Sequence, residues 1–216
     1  MSKKLLSVLA VVAMLAALVS TTALAEMNLE VGAKGGINLG DLWGSDVDSL
    51  SLDTAVRVGF LGGAFLGATF NENFGARLEV LYAQRGQKFN DPDGDITFKL
   101  DYVEIALYGT ASYPASDMVC IYGFAGPYVG FNTKSETSNG ETEDWKDITK
   151  STDFGVGGGA GVSYMATDML KIFLEAQYNV GFMSIDDSDS DWTIKNQGVG
   201  VTAGVAVPLS TNGGGM

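Results

Sequence analysis

Between Asp153 and Phe182 the chain alternates between apolar and polar positions. Leu170, Ile172, Leu174, Ala176, Tyr178, Val180 and Phe182 fall on one side, and Lys171, Phe173, Glu175, Gln177, Asn179 and Gly181 on the other. A period of two is that of a strand. The stretch before it repeats the pattern: Phe154, Val156, Ala160, Val162 and Tyr164 are apolar, with Asp153, Gly155, Gly157, Gly159, Gly161 and Ser163 opposite. Ala166-Thr167-Asp168 joins the two tightly. Long antiparallel strands with one greasy face and one face of glycine and polar groups predict a hairpin of a membrane β-barrel.

The same reading gives eight strands, at about 28–39, 56–70, 75–89, 96–113, 118–133, 153–165, 169–183 and 193–209. Each is long enough to cross a bilayer when tilted. The connections after the second, fourth and sixth strands are short (Asn71 to Phe74, Pro114 to Asp117, Ala166 to Asp168). Those after the first, fifth and seventh are long and polar, and 90–95 is intermediate. Short turns at one end and longer loops at the other predict an all-β, eight-stranded, antiparallel up-and-down transmembrane barrel in the bacterial cell outer membrane. The segment from Lys134 to Ser151, with Trp145 among charges, reads as a loop rather than a domain.

Charges fall on the glycine-bearing face, which makes that face the lumen. Glu30, Glu79, Glu104 and Glu175 are set there against Lys34, Arg57, Arg77 and Lys171. Eight strands enclose an interior about wide enough for side chains to fill, where an unpaired charge is costly. These groups are therefore expected to form a connected ion-pair network that closes the passage, with Tyr122, Phe124 and Tyr128 filling the space left by glycines. Apolar-face aromatics near strand ends (Phe70, Tyr113 and Tyr164 at the turn side; Phe131, Phe154 and Phe182 at the loop side) predict two interfacial girdles.

Residues 1–25 have the layout of a secretory signal: Lys3 and Lys4, an apolar run from Leu5 to Leu18, and Ala23-Leu24-Ala25 as a small-residue cleavage site before Glu26. An uncleaved anchor is the alternative, but the run is short for a spanning helix. The barrel domain is then 26–216. The whole chain has 13 bases and 26 acids, and cleavage removes two lysines and no acid. Eleven bases against 26 acids leave a net charge of −15, which argues against nucleic acid and against polybasic attachment to anionic lipid. The lone Cys120 excludes an internal disulfide and is expected as a small inward-facing strand residue.

Four stretches carry a resemblance: Gly32 to Leu39 (GAKGGINL), Leu78 to Gly86 (LEVLYAQRG), Leu100 to Ile105 (LDYVEI) and Phe124 to Gly130 (FAGPYVG). In this order they resemble successive motifs of the PorT-like outer-membrane β-barrel proteins, across nearly all of the chain after residue 25. The resemblance implies a small eight-stranded outer-membrane barrel and no catalytic residues; one namesake member serves a protein-secretion apparatus. The chain departs from the pattern at Ala106, where such strands carry a larger apolar residue. It also lacks a terminal aromatic, since Val207-Pro208-Leu209 is followed by a polar, glycine-rich end.

Candidate chemistry is sparse. With no histidine, Ser-His, Asp-His and His-metal sites are excluded, and the chain is read as not an enzyme. Gly155 to Ala160 (GVGGGA) matches a dinucleotide fingerprint, but a strand follows where a helix is needed. Asp91, Asp93 and Asp95, and Asp187, Asp189 and Asp191, have the D-x-D-x-D spacing of calcium loops without the closing glutamate. They read first as a solvated acidic rim and second as weak calcium sites; no cofactor is otherwise expected. The expected partners are outer-membrane lipid, the barrel-assembly machinery during insertion, and extracellular ligands or secretion components. The leading role is structural or surface interaction. An accessory of transport or protein secretion is the alternative, and a soluble lipocalin-like carrier, with its apolar face turned inward, a second one.

Overall fold

The computed structural model describes residues 28–45, 53–90, 96–138, 142–145, 148–187 and 193–209. The expected signal segment 1–25, its cleavage site, and Asp46, Asp91, Asp93, Asp95, Gly140, Asp189 and Asp191 lie outside the described residues. Nine strands are present: β1 (Asn28–Trp43), β2 (Asp53–Thr69), β3 (Phe74–Asn90), β4 (Ile96–Pro114), β5 (Val119–Ser138), β6 (Thr142–Asp144), β7 (Thr152–Thr167), β8 (Leu170–Gly181) and β9 (Lys195–Leu209). All pairings are antiparallel, β1 pairs with β9, and the β4–β5 pairing closes the sheet on itself. Eight strands thus make a closed barrel, which leaves no edge inside the bilayer.

The ninth strand corrects the reading of 134–151 as a loop. β5 runs on to Ser138, and β6 folds back on it with Glu136 opposite Asp144 and Ser138 opposite Thr142. Trp145 follows, its ring edge-on to Phe98 at 5.7 Å between centroids. Threonine and serine alternating through this stretch are as compatible with a solvated hairpin as with a loop, and hydropathy does not separate the two.

The short connections are built by side chains that accept backbone hydrogen bonds. Asn71 Oδ1 takes those of Asn73 and Phe74 at 3.0 and 2.9 Å, and Ser116 Oγ that of Val119 at 3.1 Å. Asn28 lies opposite Thr69 and Leu29 opposite Leu209, so both ends of the barrel chain sit at the turn end. β8 has 12 residues, near the minimum for crossing a bilayer, whereas β4 has 19 and β5 has 20. The surplus length of β4 and β5 projects at the loop end, where Thr97 pairs with Ser138.

The outward face is apolar, with Val58, Phe60, Val80, Ile121, Leu174 and Val205 among its exposed residues. Phe70, Phe74, Tyr113 and Tyr164 ring the turn end, and Phe154 and Phe182 the loop end, with Phe131 half-buried. This surface faces lipid and overturns the soluble carrier, which requires the reverse orientation.

The β2–β3 ladder breaks between Val56, opposite Gln87, and Leu61, opposite Ala83. Gly86 has a φ of +120° in this segment. The freed backbone groups are met by side chains: Gln84 Oε1 accepts from Phe60 N at 2.9 Å, Asn38 Nδ2 donates to Gln84 O at 2.8 Å, and Arg57 Nη1 donates to Arg85 O.

Candidate functional site

The lumen is crossed at mid-height by four charges from three strands. Lys34 of β1 lies 2.9 Å from Glu79 of β3 and 3.0 Å from Glu175 of β8. Arg77 of β3 reaches Glu79 through Nε at 2.7 Å and Glu175 through Nη1 at 2.5 Å. Two acids and two bases make the group neutral, and Gln177 and Tyr122 complete it with hydrogen bonds to Lys34 (3.1 Å) and Glu175 (2.8 Å). Burial in a low dielectric strengthens each pair and makes the loss of one member costly. The remaining Arg77 nitrogen, Nη2, lacks a hydrogen-bond partner; the guanidinium instead lies over Phe65 and Phe124, 5.1 and 4.5 Å from their centroids.

Glycines make room for the rings. A Cβ on Gly161 would stand 2.6 Å from Tyr122 Cζ, and one on Gly159 2.8 Å from Phe124 Cζ, so these rings lie flat against the wall of β7. Ala106 faces inward within the cluster of Tyr108, Phe124 and Tyr128, where its small side chain accommodates three rings.

Toward the loop end, Arg85 Nη2 pairs with Glu104 at 2.7 Å and Nη1 donates to the Tyr128 hydroxyl at 3.2 Å. Tyr128 donates to Asp153 at 3.2 Å, and Asn196 donates to both Asp153 (3.3 Å) and Tyr102 (3.0 Å). The Asn179 amide joins the two groups in the orientation that satisfies it, its oxygen accepting from Arg85 Nη2 and Gln177 Nε2, each at 3.2 Å. Above, Leu42, Leu100 and Tyr102 pack with Ile185 and Ile194 as an apolar lid over the polar column. Backbone bonds from Ile185 N to Ile194 O (2.7 Å) and from Lys150 N to Ile185 O (2.8 Å) tie this lid to the segment preceding β7.

The turn end is open. A vestibule of about 230 Å³ narrows onto Arg77, Tyr122, Phe65 and Phe173, and Cys120 lies on its wall. Lys171 donates to Glu30 at its mouth, where their side chains are 29% and 24% exposed; this pair is separate from the central group. Arg57 also stands apart, pairing with Asp101 at 3.1 Å in the broken β2–β3 segment. The eight lumen charges chosen from sequence are therefore all paired, but not in one ion-pair network: four at the centre, Glu104 with Arg85 above and linked to them through Asn179 and Gln177, Glu30 with Lys171 below, and Arg57 to one side.

Arg85, Asp101, Asp153 and Asn196 complete these groups and are absent from the sequence-based pairing. Arg85 and Asp153 were legible as inward by alternation. Asp101 was not, because alternation sets it on the outward side, where the Tyr82 hydroxyl donates to it at 2.7 Å and Arg57 reaches it at 3.1 Å. Of the six aspartates with calcium-loop spacing, Asp187 is described, its backbone N–H donating to Ile148 O at 2.9 Å. Among the described residues no three Cys, Asp or Glu side chains gather as a metal site.

Residues 22–187 match the family model described as "Outer membrane protein beta-barrel domain". Among solved structures, Neisserial surface protein A is similar at 19% identity, over 84% of this chain and 97% of that one, with a TM-score of 0.51. The N-terminal β-barrel domain of Pseudomonas aeruginosa OprF is 12% identical over 84% and 97%, with a TM-score of 0.46. OprG of Pseudomonas aeruginosa is 11% identical over 84% and 96%, with a TM-score of 0.47. No curated protein matches the chain.

Proposed function

The chain belongs to the outer membrane protein β-barrel domain family, and from that premise we propose that it is a non-conducting barrel with a structural and surface-interaction role. The observation that carries this reading is the Arg77–Glu175 contact, which spans the lumen from wall to wall with Lys34 and Glu79 packed beside it. A hydrated ion would have to part these pairs to pass, and the low dielectric of a narrow lumen opposes that. The long connections bear the acidic residues and, with turns periplasmic in barrels of this kind, face the cell exterior. Recognition there falls to the loops. Catalysis has no part in this reading, since the chain has no histidine and the buried Glu79, Glu104 and Glu175 are held by bases.

Planar-bilayer recording on the refolded protein tests it: silence at neutral pH is expected, and stable ohmic steps would refute the closed lumen. A service to transport or protein secretion is the second reading, favoured by the PorT-like motifs and by a vestibule that opens at the turn end.

A further inference from the structure

The vestibule also concentrates sulfur. Seven residues after Ala25 carry sulfur (Met27, Met118, Cys120, Met165, Met169, Met183 and Met216). Met118, Cys120 and Met165 line this single cavity, and Met169 lies in the adjoining β7–β8 turn. Met165 N donates to Met118 O at 2.9 Å, which sets the two methionines opposite each other across β5 and β7. One rung further in, Cys120 lies opposite Ser163. Side chains facing across a ladder stand about 5 Å apart at Cβ, and those two residues apart along a strand about 7 Å. Three sulfurs on unbranched or short side chains are thus within reach of one point.

We infer that Met118, Cys120 and Met165 form a site for a soft monovalent cation, copper(I) or its analogue silver(I). Thioether and thiolate are the ligands that select such ions over zinc or calcium. The hard donors nearby are less suited: Glu30 is held by Lys171, which leaves Asp117 as the other carboxylate of the vestibule. The site is reachable, for Met118 is 56% exposed and Cys120 half-buried. The sulfur of Met118 now accepts a weak hydrogen bond from the Tyr164 hydroxyl at 3.6 Å, a contact the flexible thioether exchanges readily. On binding, the Cys120 S–H bond breaks, its proton goes to solvent, and a sulfur–metal bond forms with no change of oxidation state. This assignment is independent of whether the lumen conducts.

The test is anaerobic competition for copper(I) between the refolded protein and a coloured copper(I) chelator. Uptake of one copper(I) per chain is expected. Cys120→Ser abolishes it, and Met118→Leu and Met165→Leu each weaken it by about tenfold or more. Met183→Leu, at the loop end, leaves it unchanged, and excess zinc or calcium does not displace the metal. Methionine-to-leucine changes conserve volume, and heat-dependent gel mobility verifies that each variant is folded. No uptake by the wild type overturns the assignment, as does displacement by zinc. So does a loss confined to Cys120→Ser with both leucine variants titrating as wild type, which is the behaviour of a bare thiol.

Discussion

Three strands separate β3 from β8 in either direction round the barrel, yet Arg77 Nη1 and Glu175 Oε1 are 2.5 Å apart. The pair is a diameter of the barrel. Glu175 also meets Lys34 at 3.0 Å and Tyr122 at 2.8 Å, so one carboxylate joins β1, β3, β5 and β8.

Glu175→Gln should therefore destabilise the barrel by roughly 3 kcal/mol, because two buried bases lose half of their compensation. Glu30→Gln, at the solvated mouth, should cost no more than about 1 kcal/mol. Urea unfolding of refolded protein in detergent or lipid measures both. Equal effects would mean that the central group is not a coupled unit.

Gly161→Val should cost about 1–3 kcal/mol, since the added atoms occupy the place of the Tyr122 ring and break its bond to Glu175. Near-ultraviolet circular dichroism should lose tyrosine signal while the far-ultraviolet strand signature stays. An unaltered tyrosine band would show that the ring is not pinned there.

An epitope inserted after Gly140, between β5 and β6, should be labelled on intact cells. Labelling only after permeabilisation would place the loop end inside and invert the orientation.

Processing should leave Glu26 as the first residue, because Ala23 and Ala25 fill the small-residue positions of a cleavage site. Intact mass of membrane-purified protein decides this, and a mass that includes Met1 would reject it.

Strand positions and faces were largely legible because alternation is a local property. Phe154 and Gly155, or Leu174 and Glu175, must point to opposite sides whatever the partners. Which lumen charges meet was not legible. Arg77 and Glu175 are 98 residues apart, and their contact depends on the stagger accumulated over every intervening ladder. Leu61 and Phe65 were obscured for a related reason. β2 carries apolar residues on both faces, so hydropathy does not mark these two as lumen residues, although both are buried there. Asp101 shows the other limit, since it is outward by alternation yet buried, because the side chains of Tyr82 and Arg57 reach it from neighbouring strands.

The break between Val56 and Leu61 gives one length of the wall a different kind of cohesion. Along the unbroken ladders, such as β1–β2 and β1–β9, neighbouring strands are joined by backbone amides, so substitution hardly touches the join. Here the closure hangs on Gln84, Asn38 and Arg57, three side chains that a single codon can remove. Hydrogen exchange should register that difference as a soft spot, with Phe60 N–H giving up its proton ahead of amides at the same depth on β8. Heritable change can thus unfasten this flank of the cylinder without redesigning the sheet.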